Sequence, residues 1–329
     1  MGAAGTSPGK VFMDKEVMPV VSIIVPSHRP EYMRKLAEKL ISHKSEVSNE
    51  IIVVTDYPLE LLKKVSSAIR WIYHNSTSIS AKRNRGAAIA HGELLAFIDD
   101  DCEPAENWLD EATGFLRNHP EYAGVEGKTE IGNNLKADTS ALREYKRLEK
   151  PGFRTNNIMY RKSVFMEVGG FDERFTVQRE DIDLALTINK KGYTIGFCAT
   201  MKIYHHIRLN EKWDLLKNCI NRRFDPLLYK KHGALYRKQV GSPFTPGIAC
   251  ILILHILCIA GSVTVMRLLP VFLAGEIGGI VFFTVRRSGF RKVKIMNFLI
   301  DWVSFFISPF VLGAALAFGS VKFKKLLIF

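Results

Sequence analysis

Cysteine is scarce in this sequence of 329 residues, and its five occurrences form no pattern. No two cysteines are separated by two residues, so the spacing matches neither a zinc finger nor a CxxC redox motif. We therefore expect five reduced thiols that face the cytosol. A basic-aromatic ribonucleoprotein signature is also missing, so we predict no nucleic-acid partner. Internal repeats and low-complexity runs are absent as well.

The first 19 residues lack an apolar run, and we predict a flexible N-terminus without a cleavable signal peptide. Acidic residues are also in deficit, at 33 against 46 lysines and arginines, which gives a formal charge of +13. Much of the basic excess lies in Lys212–Lys238 and around the apolar C-terminal region. This placement favours a membrane surface over a nucleic-acid groove.

Short β-branched runs alternate with amphipathic stretches over residues 20–100. The predicted strands are Val20–Val25, Glu50–Thr55, Arg70–Tyr73 and Leu94–Ile98. The predicted helices between them are Glu31–His43, Leu59–Ile69 and Ser80–His91. Alternation of this kind predicts an α/β domain with a mostly parallel sheet and helices on both faces. Further on, Asn156–Tyr160 and Thr194–Phe197 are predicted strands, and Arg161–Val168 and Asp181–Lys191 are predicted helices.

Three long apolar segments follow residue 246. They cover Ile248–Met266, Leu268–Val285 and Phe298–Phe318, and each approaches the roughly 20 residues that span a bilayer core. Glu276 lies inside the second segment, where a carboxylate in contact with lipid is costly. Either this side chain faces protein, or the segment does not fully span the membrane. Basic residues between the second and third segments place that loop, and with it residues 1–246, on the cytoplasmic side of a cell membrane. Three crossings would then put Lys322, Lys324 and Lys325 outside, which conflicts with the same rule.

The stretch Glu211–Lys238 mixes eight basic residues with aromatic and aliphatic ones at helical spacing. This composition is typical of an interfacial helix on anionic lipid, although a solvated helix packed on the domain has the same pattern. We assign 20–210 to a catalytic domain, 211–246 to a basic interfacial segment and 247–329 to a transmembrane region with two or three helices.

Three adjacent aspartates follow the predicted strand Leu94–Ile98. In an extended segment Asp99 and Asp101 point to the same side, and like charges this close favour a cation between them. Hard carboxylates suit Mg²⁺ or Mn²⁺, often together with substrate phosphates. A solvated acidic turn is the alternative interpretation.

Other polar residues lie at the predicted carboxyl edge of the sheet, where ligands of such folds bind. Arg83 could neutralise phosphate charge. Glu180 and Asp181 begin a predicted helix, where a carboxylate either caps the helix or acts as a general base. One of His205 and His206 could complete a metal shell.

Taken in order, four stretches resemble family 2 glycosyltransferases with the GT-A fold, a Rossmann-like α/β architecture. They are VSIIVPSHRP (21–30), EIIVVTD (50–56), SAKRNRGAAIAHGELLAFIDDDCEPAENWL (80–109) and NNIMYRKSVFMEVGGFDERFTVQREDIDLALTINKKGY (156–193). The second strand ends in Thr-Asp-Tyr-Pro and not in the family's usual acidic loop rich in glycine and serine, so the nucleotide base is left open. The QxxRW element of processive synthases is missing, which favours the addition of one sugar per encounter.

The resemblance implies roles for individual residues. The nucleotide-sugar would be bordered by Pro26, Ser27, Arg29, Asp56, Arg83, Asp99 and Asp100. The metal, Mg²⁺ or Mn²⁺, would be bound by Asp101, Asp99 and His205. Asn156 and Asn157 would border the sugar or acceptor, and Asp181, next to Glu180, would be the catalytic base.

The resemblance thus implies an inverting, metal-dependent transfer from a nucleotide-diphosphate sugar to a lipid-linked or surface-glycan acceptor at the cytoplasmic membrane. Two alternatives stay open at this point. One is transfer to polyprenyl phosphate, as in enzymes of the dolichyl-phosphate-mannose-synthase type, with Arg222 and Arg223 as candidate phosphate ligands. The other is a membrane scaffold that retains the fold without catalysis. The sequence makes no prediction of oligomeric state.

Overall fold

The computed structural model describes residues 19–58, 67–131, 146–206, 213–264, 266–288 and 295–327. An eight-stranded mixed sheet forms its centre, with the strand order β3-β2-β1-β4-β7-β6-β8-β5. The strands are β1 (Val21–Ser27), β2 (Asn49–Thr55), β3 (Ile69–Tyr73), β4 (Leu94–Ile98), β5 (Cys102–Pro104), β6 (Tyr122–Ile131), β7 (Asn157–Arg161) and β8 (Thr194–His205).

Helices cover both faces of this sheet. Those of the sheet domain are α1 (Pro30–Ser42), α2 (Ile79–Ile89), α3 (Trp108–Asn118), α4 (Lys162–Glu167) and α5 (Glu180–Lys190). One apolar core lies between the sheet and α1 and α3, and a second lies between the sheet and α2, α4 and α5. An α/β domain with helices on both faces is therefore confirmed. The predicted helix at Leu59–Ile69 falls largely on residues 59–66, outside the described residues.

The two halves of the sheet differ in strand direction. Strands β1 to β4 are all parallel to one another, as their alternation with helices predicts. In contrast, β7 runs antiparallel to both β4 and β6. The antiparallel pairing sets Ile98, the last residue of β4, opposite Asn157, the first of β7. It therefore brings the start of β7 to the acidic end of β4.

A second group of helices follows the sheet domain. It consists of α6 (Asp214–Asn221), a 3₁₀ turn (Arg222–Phe224), α7 (Asp225–His232) and α8 (Ala234–Val240). The basic stretch is thus three short helices and a turn, and not the single helix that its spacing predicts. Gly233, with a positive φ of 51°, separates the last two helices.

The C-terminal region forms three apolar helices: α9 (Pro246–Thr264), α10 (Leu269–Ser288) and α11 (Ile295–Phe323). By length and composition, the helical stretches Met266–Arg287 and Ile295–Phe323 could each cross a membrane, and Pro246–Gly261 is a shorter apolar helix. Several large apolar side chains of these helices are exposed, for example Ile253, Val271 and Phe282.

The helix α11 also packs on the preceding helices. Leu312, Leu316 and Phe323 share a core with Phe224 and Leu228. Gly319 lies so close to the turn before α7 that a Cβ atom would stand 2.1 Å from the carbonyl oxygen of Arg223. At the end of α11, the carbonyl of Phe323 accepts a hydrogen bond from Lys230 Nζ at 3.0 Å.

Polar side chains also join the apolar helices to one another. His255 Nδ1 lies 2.7 Å from Glu276 Oε1, and His255 Nε2 lies 2.9 Å from the carbonyl oxygen of Phe306. Both ionisable side chains are buried. Glu276 therefore faces protein, which is one of the two placements that the sequence allows for it.

Candidate functional site

The third aspartate of the acidic triplet and a histidine form a candidate metal site. The ligand atoms of Asp101, Cys102 and His205 all lie within 4.8 Å of one another. Strand β5 pairs Cys102 with His205, and this pairing brings the end of β8 to the acidic triplet. His205 is buried whereas His206 is exposed, so His205 is the histidine that turns inward.

The donor set fits a divalent cation. The Nδ1 atom of His205 lies 2.9 Å from the carbonyl oxygen of His206, which can only accept, so Nδ1 carries the proton. In the neutral imidazole the Nε2 lone pair is then directed to the site, at 3.7 Å from Asp101 Oδ1. Burial, followed by the neighbouring Asp101, raises the pKa of the Cys102 thiol well above its usual value. The thiol is thus a poor ligand, and Asp101 and His205 are the fitting pair.

The first aspartate of the triplet has a different partner. Asp99 Oδ1 accepts a hydrogen bond from Arg83 Nη2 at 2.7 Å, and Arg83 Nη1 donates to Glu180 Oε1 at 2.9 Å. Arg83 is 1% exposed and stacks at 5.5 Å on the ring of Phe171. The ligand atoms that lie together include those of Asp101 and His205 but not those of Asp99. Among the three predicted metal ligands, Asp99 thus differs from Asp101 and His205, because its carboxylate is paired with the guanidinium of Arg83.

The middle aspartate connects two loops. Asp100 is buried, and its Oδ2 accepts from Ser27 Oγ at 3.0 Å and from the backbone N–H of His28 at 3.1 Å. Burial and the adjacent Asp101 raise the pKa of Asp100. Ser27 is 1% exposed, so its hydroxyl supports the loop after β1 and does not line the cleft beside it.

A buried lysine organises the ends of β1 and β2. Lys82 Nζ donates to Asp56 Oδ1 at 2.8 Å and to the carbonyl of Ser27 at 2.7 Å, and it lies 2.9 Å from His28 Nδ1. Burial lowers the pKa of Lys82. Burial alone would raise the pKa of Asp56, but the hydrogen bond and charge of Lys82 lower it. One carboxylate oxygen of Asp56 thus faces Lys82, and the other faces His28. Asp56 lies behind His28, which lines the cleft.

Two adjoining cavities form the cleft. The smaller, of about 270 Å³, is lined by Pro26, His28, Arg29, Ile79, Asp99, Asp100, Asp101 and His205. The larger, of about 560 Å³, is lined by residues that include Arg83, Arg154, Asn156, Arg179, Glu180, Asp181 and Gln239. Both contain Ile79, Asp99 and His205, so the candidate metal site and the carboxylates of α5 face one continuous cleft. In the smaller cavity, Arg29 Nη1 lies 3.9 Å from Asp101 Oδ2.

The carboxylates at the start of α5 are in unlike surroundings. Glu180 is buried, and burial followed by the charge of Asp181 raises its pKa to about 7. Burial also raises the pKa of Asp181, against the opposing charges of Arg179, Arg83 and Arg154. Asp181 Oδ1 accepts from the backbone N–H of Ile182 at 2.7 Å, which fixes the carboxylate at the helix start.

The two predicted asparagines have different positions. Asn156 lines the larger cavity. Asn157 is fully buried beneath it: its Oδ1 accepts from Trp108 Nε1 at 2.8 Å, and its Nδ2 donates to the carbonyls of Lys128 and Met201 at 3.0 and 3.1 Å. These bonds tie β7 to β6 and β8. The expectation that Asn157 borders the sugar or acceptor is therefore wrong, because its polar atoms are committed to the sheet.

A buried carboxylate that the sequence did not single out shapes the same cavity. Glu126, on β6, accepts hydrogen bonds from the backbone N–H groups of Gly152, Phe153 and Arg154, at 2.8 to 3.1 Å. This contact fixes the loop that carries Arg154 and Asn156. Neither spacing nor composition marks Glu126, since it lies in a strand whose sequence is polar and rich in glycine.

Four buried polar atoms of the larger cavity have no hydrogen-bond partner in the part of the chain that the structure describes. They are the donors Arg83 Nε and Arg154 Nε and the acceptors Asn156 Oδ1 and Glu180 Oε2. Buried polar groups in native proteins are nearly always paired with protein or ordered water, so these four atoms mark the wall of the larger cavity as polar.

Part of the chain matches a known protein family. Residues 22–172 match the profile "Glycosyl transferase family 2". The chain is 27% identical over 245 residues to "O-antigen biosynthesis protein RfbC" of Myxococcus xanthus, covering 60% of this chain and 18% of that protein. It is 23% identical over 174 residues to "Glucosyl-dolichyl phosphate glucuronosyltransferase" of Haloferax volcanii, over 46% of this chain and 56% of that protein.

A further relative is "Glycosyltransferase AglE" of Haloferax volcanii, 22% identical over 198 residues, 55% of this chain and 64% of that protein. The chain thus spans less than two thirds of each of these relatives. The solved structure of GalNAc-T7 with UDP, GalNAc and Mn²⁺ is similar at a TM-score of 0.48 and 14% identity, over 70% of this chain and 53% of that one, which is too distant to carry an inference. The region that matches glycosyl transferase family 2, residues 22–172, holds the ends of β1, β2 and β4 and the start of β7.

Proposed function

We propose that this protein is a glycosyltransferase that takes a sugar from a nucleotide-diphosphate sugar. The observation that carries the proposal is the continuous cleft, with Asp101 and His205 at one end and unpaired buried polar atoms beside Asp181 at the other. The first end suits a diphosphate and its cation. The second suits sugar hydroxyl groups. The match to family 2 supports the same reaction class.

In this proposal Asp101 and His205 hold a divalent cation, Mg²⁺ or Mn²⁺, and Arg29 lies beside them to meet phosphate charge. When bound, the cation stabilises the negative charge that develops on the departing nucleoside diphosphate. Pro26 and His28 border the nucleotide in the smaller cavity, with Asp56 behind His28 and Asp99 at the junction of the two cavities.

Asp181 is the general base of the proposed reaction. Its carboxylate accepts the proton of the acceptor hydroxyl while that oxygen bonds to the anomeric carbon, and the bond from this carbon to the diphosphate oxygen breaks. A single displacement of this kind inverts the anomeric configuration. Glu180 is turned to Arg83 instead, and we assign it to positioning the sugar end of the cleft and not to proton transfer.

The proposed acceptor is a lipid-linked or surface glycan at a membrane. Gln239 lines the larger cavity and lies shortly before α9, so the acceptor end of the cleft is near the start of the apolar helices. The names of the relatives refer to O-antigen and to a dolichyl phosphate, which supports an acceptor of this kind. With α9 and α10 both crossing, the excess of Arg and Lys after α10 favours a cytoplasmic position for the catalytic domain at the inner membrane.

Transfer to polyprenyl phosphate itself is less well supported. Arg222 donates to Asp225 at 3.0 Å and Arg223 stacks at 4.9 Å on Phe224, and neither lines the larger cavity. The two arginines that the sequence offered for an acceptor phosphate therefore have other partners. An acceptor hydroxyl near Asp181 fits the cleft better.

The proposal is tested with the purified full chain, a panel of nucleotide-diphosphate sugars, Mn²⁺ or Mg²⁺ and a membrane lipid extract. Mass spectrometry should detect a glycosylated lipid, formed with one donor or a small group of donors. Asp181→Asn should lower the rate by at least roughly 100-fold, as expected for the loss of a general base. Asp110→Asn is the matched control, because Asp110 caps a distant loop at Ser45, and it should keep the wild-type rate.

A scaffold without catalysis gives the opposite outcomes. No product would form from any donor, and Asp101→Ala and Asp181→Ala would both retain the function of the protein in cells. Product formation at the full rate after removal of all divalent cations would reject the metal-dependent mechanism.

A further inference from the structure

The residue before the two carboxylates of α5 has a rare backbone conformation. Arg179 has φ = 80° and ψ = −8°, in the left-handed region that side chains other than glycine seldom occupy. Its peptide leads directly into Glu180 and Asp181, so the direction in which α5 enters the cleft depends on this conformation. A residue held in this way needs support from its surroundings.

That support comes from a carboxylate outside the family 2 region. Asp225, the first residue of α7, is fully buried. Its oxygens accept hydrogen bonds from Arg179 Nε at 2.7 Å and Arg179 Nη2 at 3.4 Å, from Arg222 Nη1 at 3.0 Å and from Tyr236 Oη at 3.1 Å. Charge-assisted bonds of this type are strong and directional, so the two from Arg179 fix its side chain, and those from Arg222 and Tyr236 hold the carboxylate in place.

Asp225 is itself immobilised by the helices around it. The adjacent Phe224 is buried against Phe175 and Phe323, with ring centroids 6.2 and 6.3 Å apart. Behind the turn that precedes α7, Gly319 of α11 lies against the carbonyl of Arg223. The helices after the sheet domain and the last apolar helix therefore form the base on which Asp225 rests.

We propose that Asp225 is a positioning residue for the reaction: it holds Arg179 in the left-handed conformation and thereby sets Glu180 and Asp181 in the cleft. The inference rests on the function proposed above and extends it. It makes the helices between the sheet domain and the apolar region part of the catalytic apparatus, although no residue of α7 lines either of the two cavities.

The chain offers a matched control in Asp183. This carboxylate is also buried and also joins α5 to α7, through Lys231 Nζ at 2.6 Å and His232 Nε2 at 2.8 Å. It does not bond to the side chain of Arg179. Loss of either carboxylate should weaken the packing of α5 on α7, but only loss of Asp225 should free Arg179.

The first test compares Asp225→Asn with Asp183→Asn in the transfer assay. We expect Asp225→Asn to lower kcat at least tenfold, with the KM for the nucleotide-sugar within twofold of wild type, whereas Asp183→Asn keeps kcat within threefold. Equal kcat losses in the two variants would overturn the proposal, because both would then reflect general destabilisation. Should Asp225→Asn not fold, Tyr236→Phe removes one bond to the same carboxylate and should lower kcat in the same direction.

The second test asks whether Asp225 acts through Arg179. Glycine adopts the left-handed conformation without strain, so Arg179→Gly makes the support unnecessary. In that background Asp225→Asn should change kcat less than threefold, since the two substitutions break one contact. A full tenfold loss in the Arg179→Gly background would overturn the mechanism proposed for Asp225.

A third measurement does not need activity. Hydrogen exchange of the full chain should become faster at the backbone amides of residues 180–182 in Asp225→Asn and remain at the wild-type rate there in Asp183→Asn. Unchanged exchange at these amides in Asp225→Asn would reject the positioning role. A wild-type protein that transfers no sugar would reject the proposed function, and the exchange data would still decide whether Asp225 fixes the start of α5.

Discussion

Arg83 and Glu180 form a buried ion pair, 2.9 Å from Nη1 to Oε1, that joins α2 to the first turn of α5. The same guanidinium holds Asp99 at 2.7 Å. One arginine thus connects the acidic end of β4 with the carboxylates at the opposite wall of the cleft. Its removal should affect both walls together.

At a pH above about 8, where Glu180 is ionised, Arg83→Gln should destabilise the protein by about 3–5 kcal/mol, because it leaves this carboxylate buried without its cation. Chemical unfolding of the purified protein measures this loss. Arg70→Gln is the control, since Arg70 is exposed and its guanidinium donates to the carbonyl of Ile89 at the other end of α2. The control should stay within roughly 0.5 kcal/mol of wild type. A similar loss of stability in both variants would show that the buried ion pair contributes no more to stability than an exposed arginine does.

The stability of the fold should fall as the pH rises from about 4.5 to 7. Burial raises the pKa of Glu180 to about 7 in the folded protein. Over this range the folded state holds a proton that the unfolded state has released, so each rise in pH favours unfolding, by roughly 2–3 kcal/mol in all.

Glu180→Gln cannot titrate, yet it keeps an acceptor oxygen for Arg83. Thermal unfolding at a series of pH values should therefore show a flatter profile between pH 4.5 and 7 for this variant. A wild-type profile that is already flat, or one that rises in this window, would contradict the assignment of the raised pKa to Glu180.

His205→Ala should weaken Mn²⁺ binding at least roughly tenfold, because it removes the imidazole that faces Asp101. Electron paramagnetic resonance titration of free Mn²⁺ reports binding without any substrate. His206→Ala is the matched control, being the exposed neighbour, and should bind as wild type. Cys102→Ser should also bind as wild type, since its protonated thiol contributes little as a ligand. Weaker Mn²⁺ binding in the His206 variant would show that His206, and not His205, is the metal ligand.

Gly127→Ala should destabilise the fold by about 1–3 kcal/mol, because the new Cβ would stand 2.2 Å from the carbonyl of Met201 and 2.4 Å from Asn157 Nδ2. Gly114, inside α3, has open space around it, and Gly114→Ala should stabilise by about 0.5–1 kcal/mol. Denaturant unfolding compares the two. Equal changes in stability would mean that the close approach of β6 to β8 does not require a glycine at position 127.

The sequence predicts the parallel half of the sheet well, for a physical reason. Strands β1, β2 and β4 are buried on both faces, so their side chains are almost all apolar and mark the strands directly. The sequence did not predict strand β6, because its residues are not the apolar, β-branched ones that mark a buried strand. Glu126 binds the loop before β7, and Gly127 allows β8 to approach closely. Those requirements come from distant residues, and no local pattern records them.

The candidate site shows the same division. The acidic triplet was recognisable from its place after an apolar strand, and the pairing of β5 with β8 then showed which histidine faces it. The different partners of Asp99, Asp100 and Asp101 could not be predicted, since they depend on which neighbouring strand each carboxylate meets. The role of Asn157 was wrong for a similar reason: its sequence neighbour Asn156 lines the cavity, while alternation along β7 directs Asn157 into the sheet.

The hydrogen bond from Lys230 to the carbonyl of Phe323 has a topological consequence. It holds the far end of the last apolar helix against α7, so a chain whose apolar helices enter a bilayer would enter and leave it on the same side. Only an even number of passages satisfies this condition. Two passages would keep Lys322, Lys324 and Lys325 on the side of α7, and Arg286 and Arg287 at the end of α10 lie on that side as well only where α9 and α10 make the two passages.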